Sequence, residues 1–268
     1  VTASGDRIQD RPLAEIGGKA LWTKELDAWL LAGEIDLAVH SAKDVETLRP
    51  ADIAIAAVLP REDVRDVLIG APSLAALPPG ARIGTSAPRR AAQLLHLRPD
   101  CEVVSFRGNV ATRLAKLAGG EADATLLAKA GLNRLGQGET GTALDPAEWL
   151  PAPGQGAIAI ECRAGDDATR ALLAAIDHPT SHRALLAERA LLAALGGNCH
   201  SPIAVLTSDE GDDLVMRAAL FSPDGAHKIE QELRFAITDL DGPARLARQL
   251  LAEAPEAVRC HFSGQAGD

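Results

Sequence analysis

Apolar side chains recur at helical spacing, about every 3.6 residues, in five stretches of the chain. The predicted helices cover 21–32, 89–97, 110–118, 183–195 and 242–254. Short runs rich in β-branched residues separate these stretches and predict strands. The predicted strands cover 35–40, 53–58, 67–69, 82–85, 103–106, 124–127, 157–161, 202–207, 214–222 and 228–236. Strands that alternate with helices predict an α/β fold with parallel strands.

Two segments predict places where the chain crosses between lobes: 50–62, which contains Pro50 and Pro60, and 150–156, which is rich in proline and glycine. A chain that leaves one lobe, builds a second and returns encloses a cleft, and such clefts are common ligand sites. After Arg183 the pattern changes to that of a smaller α+β domain. We expect domain 1 at 1–59 and 156–178, domain 2 at 60–155 and domain 3 at 179–268.

Composition places the chain among soluble globular proteins, because 47% of its 268 residues are hydrophobic and 24% are charged. The net charge of -10 disfavours nucleic acids and anionic membranes as partners, and we expect neither. No apolar run approaches the roughly 18 residues that span a bilayer, and the first residues have no signal-peptide pattern. We therefore expect a cytoplasmic protein, and, because the chain starts at Val1, residues upstream of it.

The cysteines Cys101, Cys162, Cys199 and Cys260 lie far apart and form no CxxC pair. This spacing disfavours a zinc ribbon and a dithiol redox site, so we expect free thiols and no metal.

The first candidate for chemistry is the polar loop that follows the strand at 35–40. Ligands of open α/β sheets bind at the carboxyl ends of strands, where this loop places Lys43 and Asp44. The Lys43 ammonium could hold a carboxylate, and Asp44 could move protons or stabilise a cation. A solvated junction without a function is the alternative.

The second candidate is a pair of adjacent arginines, Arg89 and Arg90, in the first turn of a predicted helix. Thr85 or Ser86 could cap this helix, and Pro88 suits its first positions. Cations are unfavourable at the positive end of a helix dipole, so the pair indicates a bound anion. Two side chains extended into solvent are the alternative.

Further arginines follow strand ends in the same region. Arg107 ends a predicted strand and Arg113 lies in the helix after it, while Arg134 and Lys19 could extend the cluster. Because arginine binds carboxylates in bidentate fashion, the repetition indicates a ligand with several carboxylates.

Cys199 lies in a glycine-rich loop after a long apolar helix, with Gly196 or Gly197 as the helix stop. A buried structural thiol and a reactive thiol both remain open for this residue. A metal site at Cys199 and His200 is disfavoured, because adjacent residues rarely face one ion.

Taken together, these segments resemble the hydroxymethylbilane synthase (porphobilinogen deaminase) family almost from end to end. The matching motifs, in family order, are Gly17-Gly18-Lys19-Ala20-Leu21-Trp22, His40-Ser41-Ala42-Lys43-Asp44, Arg61-Glu62-Asp63-Val64-Arg65-Asp66, Gly84-Thr85-Ser86, Arg89-Arg90, Arg107-Gly108-Asn109-Val110, Arg113-Leu114, Gly154-Gln155-Gly156 and Glu161-Cys162-Arg163. The cysteine loop departs from the family's frequent Gly-Gly-Cys, because Asn198 precedes Cys199 here.

The resemblance implies two lobes of the periplasmic-binding-protein type around a cleft, plus a third domain whose cysteine holds a dipyrromethane cofactor by a thioether. Here that residue is Cys199. The family's N-terminal strand and helix precede the start of this chain. The implied reaction condenses four porphobilinogen molecules head to tail, with release of ammonia, and hydrolysis frees the linear tetrapyrrole from a monomeric enzyme.

The resemblance also implies a role for each matching residue. Asp44 is the expected catalytic carboxylate. The expected cofactor-binding residues are Cys199, Lys43, Asp44, Thr85, Ser86, Arg89, Arg90 and Arg113. The expected substrate-binding residues are Lys19, Trp22, Ser41, Arg107, Arg113 and Arg134.

Two other functions fit parts of the pattern. A two-lobed protein could bind a dicarboxylate without catalysis, although a third domain with Cys199 would have no purpose there. A phosphate-binding transferase could use the helix start at Arg89 and Arg90, but no glycine-rich phosphate loop accompanies it.

Overall fold

Three β-sheets organise the described part of the chain, and the first of them is completed by a strand that follows the whole of the second. The computed structural model describes residues 20–198 and 200–262. Lys19 and Cys199 therefore lie outside the described residues, and only the backbone of Trp22 is described.

Lobe 1 is built on a three-stranded sheet of order β1-β8-β2. Its elements are α1 (Ala20–Ala32), β1 (Ala38–Ser41), a 3-10 helix (Ala42–Asp44), β2 (Ile53–Val58), β8 (Ile158–Arg163) and α5 (Asp167–Leu173). Both neighbours of β8 pair with it in antiparallel fashion. Leu30 of α1 packs with Ala38 and Ile53 of the sheet, which fixes the helix on one face.

Lobe 2 contains a five-stranded sheet of order β5-β4-β6-β3-β7. Its elements are β3 (Asp66–Ile69), β4 (Arg82–Gly84), α2 (Pro88–Leu97), β5 (Glu102–Val104), α3 (Val110–Ala118), β6 (Ala124–Ala128), α4 (Lys129–Arg134) and β7 (Thr142–Ala143). Its core includes Ile83, Leu94, Leu126 and Trp149, all almost completely buried.

The third domain packs two helices on an antiparallel sheet of order β11-β10-β9. Its elements are α6 (Pro179–Ala194), β9 (Ile203–Glu210), β10 (Asp213–Phe221), β11 (Lys228–Ala236), α7 (Gly242–Glu253) and α8 (Glu256–Arg259). Leu191, Val205, Met216 and Leu246 fill its core and are fully buried. These contacts make it the α+β unit that the sequence predicts.

The chain passes between the two lobes twice, at 59–65 and at 144–157. We call these segments the first and second crossing. Gly156 lies in the second with φ of 83°, and a Cβ there would come within 2.4 Å of the Glu62 carbonyl oxygen in the first. Glycine is therefore required where the two crossings touch.

The α/β fold class is confirmed, and the five predicted helices and ten predicted strands all form, with ends shifted by a few residues. Two expectations are wrong. The parallel arrangement holds only for β4 with β5 and β6, because β1, β2 and β8 run antiparallel. The first crossing begins after Val58, because Ile53–Val58 is a strand of lobe 1.

The sequence pattern also missed the short elements, namely the 3-10 helix, α4, α5, β7 and α8, which span two to seven residues each. Within the described part of the chain, no helix is both long and apolar enough to cross a membrane. Cys101 and Cys162 are free, buried thiols, as predicted.

Candidate active site

Lys43 and Asp44 lie in the 3-10 helix directly after β1, at the end of the strand where the sequence places them. Ser41 is the last residue of β1, and its backbone pairs with Ile158 of β8. The Ala42 amide donates to the Ala157 carbonyl oxygen at 3.0 Å, which joins the loop to the end of the second crossing. Ser41, Lys43 and Asp44 are all half-buried, so this loop faces a partly enclosed space.

A buried ion pair between Arg49 and Glu161 holds the far end of this loop. Arg49 donates to both Glu161 oxygens, at 2.9 and 2.8 Å, and also to Asp27 of α1. Burial raises the pKa of Glu161, but the neighbouring His40 and Arg49 lower it overall. The loop is therefore fixed between two anchors on β8, at Ile158 and Glu161.

Arg89 and Arg90 lie at the start of α2, where both side chains are buried against Asp66 of β3. Arg89 Nη1 lies 2.7 Å from Asp66 Oδ2, and Arg90 Nη2 donates to Oδ1 at 2.7 Å. Trp149 Nε1 and Gln155 Nε2 also donate to this carboxylate, at 2.8 and 2.9 Å. Burial raises the pKa of Asp66, but the two arginines lower it far below its usual range. The predicted arginine pair thus carries its own buried counter-ion, which the sequence analysis did not assign.

This cluster still fits an anionic cofactor, because two guanidinium groups share one carboxylate and leave a net positive charge. The Nε atoms of Arg89 and Arg90 are buried, and neither has a hydrogen-bond partner within the described residues. Buried donors without partners are costly, so an incoming carboxylate would gain from meeting them. Arg89 also has its pKa lowered by burial and by Arg90, which shows how closely the two cations are held.

Thr85 and Ser86 do not cap α2, which corrects the prediction. The N-cap residue is Ala87, without a side-chain cap, and Pro88 takes the first helical position as expected. Thr85 is buried and its Oγ1 accepts from the Ala87 amide at 3.2 Å. Ser86 is exposed and its hydroxyl donates to the Phe106 carbonyl oxygen at 2.7 Å. Both hydroxyls shape the loop before the arginines.

Arg113 connects the lobe 2 cations with the Asp44 loop of lobe 1. It is half-buried in α3, and burial lowers its pKa. Arg90 lowers the pKa further, while Asp44 opposes the shift, so both charges lie within electrostatic range of Arg113. The structure therefore brings Asp44, Arg90 and Arg113 together across the two lobes.

Arg107 and Arg134 extend this cationic surface. Arg107 is exposed after β5, and its guanidinium has no hydrogen-bond or ion-pair partner among residues 20–198 and 200–262. Arg134 is exposed at the end of α4 and donates to the Gly156 carbonyl oxygen of the second crossing at 3.0 Å. Neither side chain forms a salt bridge with another described residue, although Arg134 lies in electrostatic range of Glu62, so both can meet an anion.

The loop around position 199 is closed by side-chain hydrogen bonds. Gly196 has φ of 63° and ends α6, as predicted. Asn198 Oδ1 accepts from the His200 amide at 2.8 Å, and Ser201 Oγ accepts from the Asn198 amide at 3.1 Å. The hydroxyl of Thr47 donates to the Gly197 carbonyl oxygen at 3.1 Å, so this loop touches the segment that follows Asp44.

A wide concavity of about 560 Å³ lies elsewhere on lobe 1, between Asp52, Arg163 and the start of α5. It holds none of the predicted site residues. Asp52, Asp166 and Asp167 line it, so its charge is unsuited to an anionic ligand.

Comparison with known proteins gives matches over nearly the whole chain. The family described as "Porphobilinogen deaminase, dipyromethane cofactor binding domain" matches residues 1–171, and its C-terminal domain matches 182–255. Porphobilinogen deaminase of Sphingopyxis alaskensis is 58% identical, covering 98% of this chain and 85% of that protein. Porphobilinogen deaminase of Nitrobacter winogradskyi is 50% identical with the same coverage.

Similar solved structures are more distant. A sulfonate-binding protein, SsuA of Methylobacillus flagellatus, has a TM-score of 0.36 at 17% identity, covering 61% of this chain and 50% of its own. YhfZ of Shigella flexneri has a TM-score of 0.33 at 22% identity, covering 63% of this chain and 76% of its own.

Proposed function

The chain belongs to the porphobilinogen deaminase family, and on that basis we propose a role for each site residue in the reaction. The enzyme is a transferase that joins four porphobilinogen molecules head to tail, releases ammonia and forms the linear tetrapyrrole hydroxymethylbilane. Its dipyrromethane cofactor supplies the pyrrole to which the first porphobilinogen is joined. The alternative of a dicarboxylate-binding protein without catalysis is set aside, since the family is an enzyme family.

Asp44 is the catalytic carboxylate in this proposal. The charge of Asp44 in lobe 1 acts on Arg113 in lobe 2, and this proximity carries the proposal, because an acidic pyrrole requires cations near the catalytic carboxylate. A half-buried carboxyl group can give its proton to the leaving amine. The carboxylate that results can stabilise the cation that remains and accept the proton released when the new bond forms.

The cationic residues would hold carboxylates at successive positions along the cleft. Each pyrrole of the substrate carries an acetate and a propionate, so negative charge accumulates as the product grows. Lys43, Arg89, Arg90 and Arg113 would bind the cofactor carboxylates, with Thr85 and Ser86 shaping their loop. Arg107, Arg113 and Arg134, with Ser41, Lys19 and Trp22, would bind the substrate.

Cys199 is the proposed attachment point, by a thioether. Two contacts of its neighbours support this assignment: the Thr47 hydroxyl reaches Gly197, and the Asn198 side chain closes a turn onto His200. The first contact joins this loop to the segment that follows Asp44, and the second is a local turn within the loop.

We further propose that domain 1 covers 1–59 and 156–178, domain 2 covers 60–155 and domain 3 covers 179–268. The start of domain 3 lies between the end of the first family match, at 171, and the start of the second, at 182. We also propose that the protein is a monomer in the cytoplasm and that it binds neither nucleic acid nor membranes.

Intact-mass analysis of the purified protein tests the cofactor assignment. The active protein is expected to carry a covalent dipyrrole adduct that Cys199→Ser loses and Cys260→Ser keeps, since Cys260 is an exposed cysteine of the same domain. Asp44→Asn is expected to keep an adduct while turning over far more slowly. An unmodified mass for the active protein, or normal turnover of Asp44→Asn, would contradict the corresponding role.

A further inference from the structure

Two side chains bridge the Asp44 loop of lobe 1 and the third domain. Arg189 of α6 donates through Nη2 to the carbonyl oxygens of Glu46 and Thr47, at 2.6 and 2.9 Å. The Thr47 hydroxyl in turn donates to the Gly197 carbonyl oxygen at 3.1 Å. The backbone at Thr47 is therefore held from one side by Arg189, while its side chain holds the loop after α6.

The bridge joins two segments that lie close in sequence to proposed site residues. Thr47 follows Asp44 by three residues, and Gly197 precedes Cys199 by two. One hydroxyl thus joins the segment that carries the proposed catalytic carboxylate to the loop that carries the proposed attachment point.

The loop that contains Gly197 is also held by α6, so the Thr47 hydroxyl bonds to a group whose position is fixed. The Gly197 amide donates to the Leu192 carbonyl oxygen at 2.9 Å. Gly197 is buried, and a Cβ there would lie 2.6 Å from Leu192 Cδ1. Gly197 therefore has little room to move, and Thr47 is half-buried, which partly shields the hydrogen bond from water.

We infer that Thr47 is a positioning residue, whose hydroxyl keeps the Asp44 loop and the Cys199 loop at a fixed separation during successive additions. This rests on the proposed function. Each condensation must bring a new pyrrole to the same carboxylate while the growing product stays attached to one point. Effective concentration at the reacting centre depends on that separation, and small displacements reduce it strongly.

Paired substitutions at Thr47 test the inference. Thr47→Val keeps the shape of the side chain and removes the hydroxyl, whereas Thr47→Ser keeps the hydroxyl and removes the methyl group. We expect Thr47→Val to lower kcat about fivefold, the effect of losing one ordinary hydrogen bond, with KM unchanged. Thr47→Ser is expected to retain the wild-type kcat, an outcome that a packing role of the methyl group would not give.

Hydrogen exchange supplies a readout that does not depend on turnover. In the purified holoenzyme, backbone amides in the segments 43–49 and 195–201 are expected to exchange faster in Thr47→Val than in the wild type or Thr47→Ser. Thr142→Val is the control, since Thr142 is exposed on β7 of lobe 2 and its hydroxyl has no hydrogen bond within the described residues.

Wild-type kcat and exchange in Thr47→Val would overturn the inference, and so would equal losses in Thr47→Val and Thr47→Ser. Failure of the proposed function is seen separately, as an unmodified mass of the active wild-type protein. In that case the exchange comparison still decides whether the hydroxyl joins the two loops.

Discussion

Arg61 and Glu188 form a buried, bidentate ion pair between the first crossing and the third domain. Arg61 donates to the two Glu188 oxygens at 2.8 and 3.0 Å. The same carboxylate accepts from the Gly154 amide of the second crossing at 2.7 Å and from the Thr207 amide of β9 at 3.1 Å. One fully buried side chain therefore joins both crossings to the third domain.

Glu188→Gln is expected to destabilise the protein by roughly 3–5 kcal/mol, because removing one partner of a buried pair leaves the other charge without compensation. Urea unfolding followed by circular dichroism measures the change. Glu210→Gln is the matched control, since its pair with Arg234 is exposed, and such pairs contribute less than about 1 kcal/mol. Equal losses in the two variants would show that the Glu188 contacts add little.

Asp66→Asn is expected to lower stability at neutral pH and to flatten its dependence on acid. The pKa of Asp66 is depressed in the folded protein, so its contribution is present above the unfolded value of about 4 and is lost as pH falls below it. The stability gap between wild type and Asp66→Asn should therefore narrow below about pH 4. Unfolding curves recorded from neutral to acidic pH test this, and a gap that widens in acid would contradict it.

Arg107→Gln is expected to raise KM for porphobilinogen by about tenfold with a smaller effect on kcat, because an exposed cation that binds a carboxylate contributes mainly to uniform binding. Steady-state kinetics provide the measurement. Arg82→Gln is the control, since Arg82 is also exposed but lies at the opposite, amino end of β4. A rise in KM shared by both variants would indicate a general loss of positive charge instead.

The helices and long strands were predictable because their apolar spacing is local information. Short elements were not, since the two residues of β7 and the six of α4 contain too few positions to show a period. The direction of the lobe 1 strands was also hidden, because β8 enters between β1 and β2 only after the chain has built lobe 2.

The site was predictable where charge and sequence motif coincide, as at Asp44, Arg90 and Arg113. The counter-ion of the arginine pair was missed, because Asp66 precedes Arg89 by 23 residues and only the fold brings the two together. The signal was present in the sequence, since an aspartate at the start of an apolar, largely buried strand requires a partner. Glu188 was missed for the same reason, because its partner Arg61 lies 127 residues earlier in the chain.

The central place of β8 in the lobe 1 sheet has a consequence for biosynthesis. All strands of lobe 2 lie between residues 66 and 143, so this lobe has its complete sheet once that stretch has left the ribosome. Among the described strands of lobe 1, in contrast, β8 lies between β1 and β2, and it is complete only when residue 163 has emerged. When synthesis is stalled after lobe 2 has emerged but before residue 163, residues 66–143 of the nascent chain should resist protease, whereas the residues before them should be cleaved.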